Sequence, residues 1–235
     1  LDEEIKSIDT HTNVMEALTY LYEATGDAGH LAALGQVVEL ILSHGIDHES
    51  GCTITAFTRE LRPIPDAEGR MTTSFGLNVE LAWLLLKANR CFHTAKEGVD
   101  EAARGLVDHA LRFGFDHRRG GLAAFGAIEP SGESNTRLPD DHRWRLWWSQ
   151  AELMNALIDI VAMTDDDTYV AKLIREWEWV WQRQIDHDCG DWYEAIDPTT
   201  GAPITTNKGG EWKTSFHGSR ALMRTAAGID HILAL

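Results

Sequence analysis

A short turn-forming pattern recurs through the chain at a nearly fixed interval. Asp47-His48-Glu49-Ser50-Gly51 is followed by Asp116-His117-Arg118-Arg119-Gly120 and then by Asp186-His187-Asp188-Cys189-Gly190, at spacings of 69 and 70 residues. An aspartate ahead of a glycine is turn chemistry, with the glycine free to take positive φ. Each copy follows a helical pattern and precedes a short strand-like run: residues 53–57, 122–125 and 192–195. A period of this size marks a repeated supersecondary unit.

Between the turns lie helix pairs. Apolar residues at helical spacing predict helices over residues 13–25 and 31–43, 75–92 and 99–113, 147–163 and 168–184, with a seventh over 215–235. Such pairs stack into a solenoid or a closed α/α toroid, in which the first helix of each pair lines the centre. The run Leu81-Ala82-Trp83-Leu84-Leu85-Leu86 is apolar all round, as an inner helix requires, whereas residues 97–112 carry many charges and suit an outer one. The expected class is therefore all-α, of the toroid type, with small β-hairpins.

Composition narrows the partners. Lys plus Arg number 21 against 37 Asp plus Glu, a net charge of −16, which disfavours nucleic acid and anionic membrane. No apolar run approaches the ~20 residues that span a bilayer. The three cysteines, Cys52, Cys91 and Cys189, are widely separated and lack metal-type spacing, which predicts a reducing, cytoplasmic setting. The Asp-His pair of residues 186–189 is explained by the repeat rather than by metal binding. Nine tryptophans fill a helical core, and an indole face also packs against the C–H face of a sugar ring.

Superposing the starts of the four inner helices gives a ring. Glu16, Glu80, Glu152 and Arg220 occupy one position; three residues before them stand Asn13, Leu77, Ser149 and His217; two before stand Val14, Asn78, Gln150 and Gly218. Residues three apart share a helical face, so each helix offers a pair toward one region. Carboxylates, amides, an arginine and a histidine gathered there compose either a pocket for a polyhydroxylated ligand or an ion-pair network tying helices together. His217, flanked by Ser215, Phe216 and Gly218, lies at a helix start rather than on an apolar stripe. His48, His117 and His187 read as parts of the repeated turn, and His11 precedes the first inner helix.

Trp147-Trp148-Ser149-Gln150-Ala151-Glu152 resembles the Trp-Trp-x-Gln-x-Glu motif of the N-acylglucosamine 2-epimerase and cellobiose 2-epimerase superfamily. Gly190-Asp191-Trp192-Tyr193, Asp197, Gly201, Trp212-Lys213 and Phe216-His217 through Arg220 are similar to its closing signature. The resemblance implies an (α/α)6 barrel of twelve helices, so residues 1–235 read as the C-terminal part of a single α/α-barrel domain. Self-association or an N-terminal half of the barrel would then cover the open faces. It also implies a small-molecule sugar substrate and no cofactor or metal.

The activity implied is proton transfer at C2 of a sugar, as a 2-epimerase or an aldose–ketose isomerase. His217 and Glu80 would be the catalytic groups, with Asn13, Glu16, Asn78, Trp148, Gln150, Glu152, Trp212 and Arg220 binding substrate. Two departures stand out: the family's Gly-His-Asp/Asn-x-Glu reads here as Gly76-Leu77-Asn78-Val79-Glu80, and its first inner-helix histidine is Asn13. Leucine cannot exchange a proton, so a two-base epimerisation lacks one base unless Glu80 or His11 substitutes, and a non-catalytic sugar-binding protein is the alternative. A glycoside hydrolase on the same toroid would need two carboxylates flanking the scissile bond, a reading that His217 and the closing signature disfavour.

Overall fold

The computed structural model describes residues 5–129, 131, 134–135, 143–164 and 166–233. Seven α-helices run in pairs: α1 (Ile8–Thr25) with α2 (Ala28–Leu40), α3 (Phe75–Asn89) with α4 (Val99–Phe113), α5 (Trp147–Thr164) with α6 (Asp167–Trp179), and finally α7 (Phe216–Leu233). Helix α1 begins five residues before the periodicity predicted. Ser7 caps it, its hydroxyl accepting from the Thr10 N–H, and this draws Asp9, His11 and Thr12 into the first turns. Helices α2 and α6 each end in one wider π-turn, Ile41–Gly45 and Val180–Gln184, where the sequence predicted unbroken helix.

Helices α1, α3, α5 and α7 form the inner row, with α3 packed against α1 and α5, and α5 against α7; α2, α4 and α6 cover them from outside. The division follows from composition. Nearly every residue of α3 and α5 is buried, whereas α4 and α6 are amphipathic. The core is continuous, with Phe75, Trp83, Leu84, Leu106, Leu122 and Leu153 at its centre.

The three repeated turns adopt one geometry. The glycine N–H donates to the aspartate carbonyl at 2.7, 2.7 and 2.8 Å, and Gly51, Gly120 and Gly190 take φ of 71°, 87° and 76°. Each turn closes a minimal hairpin: β2 (Ile46–Asp47) on β3 (Cys52–Thr53), then the bridges Phe115–Leu122 and Ile185–Trp192. His48 and His187 each bond through Nε2 to a carbonyl six residues back, Leu42 and Trp181, which makes them parts of the turn.

A second stitching binds successive repeats. The strand that leads into an inner helix pairs with the strand after the next hairpin: β1 (Lys6–Ser7) with β4 (Ala56–Phe57), β5 (Met71–Ser74) with β6 (Phe125–Ile128), and β8 (Arg145–Leu146) with β9 (Ala195–Ile196). β6 also pairs with β7 (Ser134–Asn135). These ladders form a rim at the end where the inner helices begin.

The two ends of the row expose apolar side chains. On α1 these are Val14, Tyr20 and Leu21; on α7 they are Phe216, Leu222, Met223 and Ile229. Among the described residues no helix is long and apolar enough to cross a membrane.

Candidate active site

Four inner helices converge on one guanidinium. Arg220 of α7 pairs with Glu152 of α5 at 2.6 Å and with Glu16 of α1, and lies 3.7 Å from Glu80 of α3. Its planar face also rests on aromatic rings, 4.8 Å from the Trp83 centroid and 4.4 Å from that of Phe216. The ring position read from the sequence is thus a physical cluster. It is an ion-pair network, and it forms the floor of a cleft.

Glu152 is fully buried and every contact it makes is charge-assisted or directional. Oε1 takes Arg220 and the Nδ1 of His217, both at 2.6 Å; Oε2 accepts from the Trp83 indole N–H at 2.6 Å and from the Asn155 amide at 3.0 Å. Burial pushes its carboxyl up, but His217 and Arg220 together outweigh burial and hold it below the usual range. An ionised carboxylate only accepts, so Nδ1 of His217 carries the proton and Nε2 is the ring's free nitrogen. Glu80 behaves in the opposite way. Burial and the neighbouring Glu152 charge push its carboxyl well above the ordinary value, and Arg220 only partly offsets them. The site therefore favours the protonated form of Glu80, the form able to donate, more than water does.

Above this floor is a cleft of about 360 Å³ lined by Asp9, Asn13, Ser74, Leu77, Glu80, Phe125, Trp147, Trp148, Trp212 and His217. The His217 ring packs between Trp147 and Trp148, at 6.3 and 6.2 Å between centroids. Trp147 is buried and Trp148 half-buried, so of the adjacent indoles one packs and the other borders the opening. Trp212 is 82% exposed and stands at the rim. Asn13 also reaches the cleft, while its amide donates to the Asp9 carbonyl and carboxylate.

Of the sequence-selected residues, His217, Glu80, Asn13, Trp148 and Trp212 line this cleft, and Glu16, Glu152 and Arg220 lie beneath it. Asn78 and Gln150 are corrected to a different place. The Asn78 carbonyl oxygen accepts from the Thr53 N–H and from the Thr53 and Thr73 hydroxyls. Gln150 accepts from the Leu122 N–H and donates to the carbonyls of Leu122 and Leu146. The reason is rotational: a step of one residue turns ~100° around the helix, so positions two before the ring face the preceding hairpin and hold it. Gly218, in the same place on α7, lies against the Trp192 ring of the third hairpin.

Two members of the site were missed, Trp83 and Asn155. The signal was present, because both stand three residues after a ring glutamate. The spacing that selected Leu77 and His217 by stepping back selects these two by stepping forward. Glu80, Glu152 and His217 also bring one ligand atom each within 4.8 Å of one another, a grouping a metal could use. The cation this cluster already holds is the guanidinium of Arg220.

Paired helices around a central polar floor define an (α/α)6-toroid fold, of which the described residues supply seven helices. The profile of the N-acylglucosamine 2-epimerase (GlcNAc 2-epimerase) family matches residues 3–219, and the chain belongs to that family of carbohydrate epimerases and isomerases. It is 33% identical over 115 residues to D-mannose isomerase of Marinomonas mediterranea, covering 49% of this chain and 27% of the relative. To cellobiose 2-epimerase of Bacteroides fragilis it is 22% identical over 218 residues, covering 92% and 52%. A crystal structure of D-mannose isomerase superposes with a TM-score of 0.81 at 23% identity, covering 96% of this chain and 57% of that one. The chain thus spans about half the length, or less, of the relatives it matches.

Proposed function

We propose that this chain carries the proton-transfer centre of a metal-free sugar isomerase acting at C2 of an open-chain sugar, with a single imidazole as its base. The carrying observation is the 2.6 Å bond from Nδ1 of His217, a residue that lines the cleft, to buried Glu152, which fixes the ring and leaves Nε2 as the nitrogen available to act as base. In aldose-to-ketose conversion Nε2 takes the proton from C2, and the C2–H electron pair forms the enediol double bond as the carbonyl π pair moves to O1. Glu80, in the protonated form that its burial favours, donates to O1. In the second half the resulting carboxylate takes the O2 proton while the imidazolium returns its proton to C1. Both catalytic groups end as they began, and one face of the sugar suffices. Trp148 and Trp212 offer indole faces for the C–H face of the sugar.

Leu77 favours this reading over two-base epimerisation, because the position three before Glu80 presents an alkyl group to the same cleft. The same leucine supports the second reading, a sugar-binding protein without turnover.

Incubation with aldoses, ketoses and N-acetyl sugars in deuterated water separates the readings. Deuterium incorporation with ketose–aldose conversion, abolished in His217→Asn, is expected. Inversion at C2 without ketose establishes epimerisation instead, and saturable sugar binding with no exchange establishes the binding-only reading. Leu77→His should add C2 inversion where the parent chain has only isomerisation.

A further inference from the structure

On an acidic chain, one cavity is dominated by arginine. It has a volume of about 440 Å³ and is bordered by Arg145 and Ile196 of the β8–β9 ladder. Arg118 and Arg119 come from the second hairpin turn, Arg145 from β8, and Arg175 and Arg183 from α6 and its terminal π-turn. Thr199 and Thr200, in the turn after β9, complete the wall.

Five of the chain's guanidiniums therefore converge on one space from three separate segments. The negative end of a helix dipole accounts for Arg175 and Arg183. It does not account for Arg118, Arg119 and Arg145, which come from a turn and a strand.

Their pairing is incomplete. Arg118, Arg119 and Arg183 have no side-chain ion pair or hydrogen bond among the described residues, and Arg175 meets only exposed Glu178, at 3.5 Å. Arg145, half-buried, donates to one backbone carbonyl, that of Arg143. Burial strips its guanidinium of water and pulls its pKa below the usual value, with Asp116 and Glu176 only partly offsetting this. The lining carboxylates Asp116 and Asp197 already accept from N–H groups of their own turns, Arg118 and Arg119 in one case and Thr199 and Thr200 in the other. Five arginines against three lining carboxylates, Asp116, Glu178 and Asp197, leave the wall with two positive charges in excess, held in fork-shaped donors that match oxyanions.

We infer that this cavity is a second ligand site, distinct from the central cleft, that binds a small phosphate monoester of about sugar size through Arg118, Arg145 and Arg183, with the threonine hydroxyls as further donors. A dianion suits several converging guanidiniums better than a single carboxylate does. The site is also joined to the cleft through the chain: Arg145 is two residues from Trp147 and three from Trp148, which line the cleft wall. The inference rests on the arginine geometry and not on the sugar chemistry proposed above.

Isothermal titration at low salt, with a hexose 6-phosphate, inorganic phosphate and the uncharged hexose as probes, tests it. Saturable 1:1 binding of the hexose phosphate with Kd of about 1 mM or tighter is expected. An Arg118→Ala, Arg183→Ala double variant should weaken it at least about tenfold. Both side chains are exposed, so the variant should keep its circular dichroism and melting temperature. Trp148→Ala, in the central cleft, should leave phosphate binding in place. Three results overturn the site: no saturable binding of the hexose phosphate up to about 10 mM, binding that survives the double variant, or binding lost in Trp148→Ala.

Discussion

The indole N–H of Trp83 donates to Oε2 of Glu152 at 2.6 Å across the α3–α5 contact, and both side chains are fully buried. The other oxygen of the same carboxylate holds His217. A core tryptophan therefore reaches the proposed base through one intervening group. Its ring also carries Arg220 and Arg224, whose guanidinium carbons lie 4.8 and 4.2 Å from the centroid.

Trp83→Phe keeps an aromatic face but deletes the donor. Loss of a buried hydrogen bond to a charged group should cost about 1.5–3 kcal/mol, read as a lower urea midpoint. Deuterium exchange should slow more than sugar binding weakens. An unchanged midpoint would show that the bond contributes nothing net.

Glu152→Gln retains shape and removes the charge. Arg220 then loses its fully buried partner inside the network, so destabilisation of about 3–5 kcal/mol is expected. Exchange should fall about 10²–10⁴-fold, the usual range for a displaced general base. Wild-type exchange in a folded Glu152→Gln variant would separate His217 from its carboxylate and remove the mechanistic role given to it.

Gly76 has no space for a side chain. A Cβ there would stand 2.5 Å from the Ser149 hydroxyl and 2.5 Å from the far edge of the Trp148 indole. Gly76→Ala should therefore push Trp148 across the cleft mouth. We expect a weaker sugar Kd with a stability change within about 1–3 kcal/mol, measured by calorimetry and urea denaturation. Intact affinity would mean that Trp148 does not shape the opening.

His109 is buried against Phe75 and Phe113. Its Nδ1 faces the Asn78 amide at 3.4 Å and its Nε2 the Ser134 hydroxyl at 3.1 Å, which suits a neutral ring. Burial, with Arg112 adding to it, pulls its pKa from 6.5 down to about 4. Between those values the unfolded chain binds a proton that the folded chain refuses, so stability falls as pH drops through that window, by up to about 3 kcal/mol. His109→Gln should flatten the slope between about pH 6.5 and 4. An equal slope in the variant would assign the acid loss to other groups.

Glu176 has the opposite sign. It is buried, with Oε2 accepting from the Gly121 N–H at 2.9 Å and Oε1 without a protein partner; burial raises its pKa to about 8, against the pull of Gly121 and Arg145. The folded state binds the extra proton here. The stability it contributes is full below about pH 4.3 and is lost as pH rises through about 8. Glu176→Gln should be the more stable protein at alkaline pH, in denaturation series above and below neutrality. A variant that loses stability equally at both ends would sink this assignment.

The repeat, the three Asp-to-Gly hairpins, the helix pairs and the ring of Glu16, Glu80, Glu152 and Arg220, with His217 three residues ahead of its arginine, were all legible in the order of residues. Each repeat carries its own copy of these signals within a few residues, in turn chemistry and in the 3.6-residue period. Which ring neighbours meet the cleft depended on how the helices pack. That packing turned Asn78 and Gln150 toward the hairpins, joined Trp83 and Asn155 to Glu152, and collected arginines from a turn, a strand and a helix end around one cavity. Rotational phase is the cause: a helix's own sequence fixes which residues share a face, but the packing of neighbouring helices fixes what that face meets.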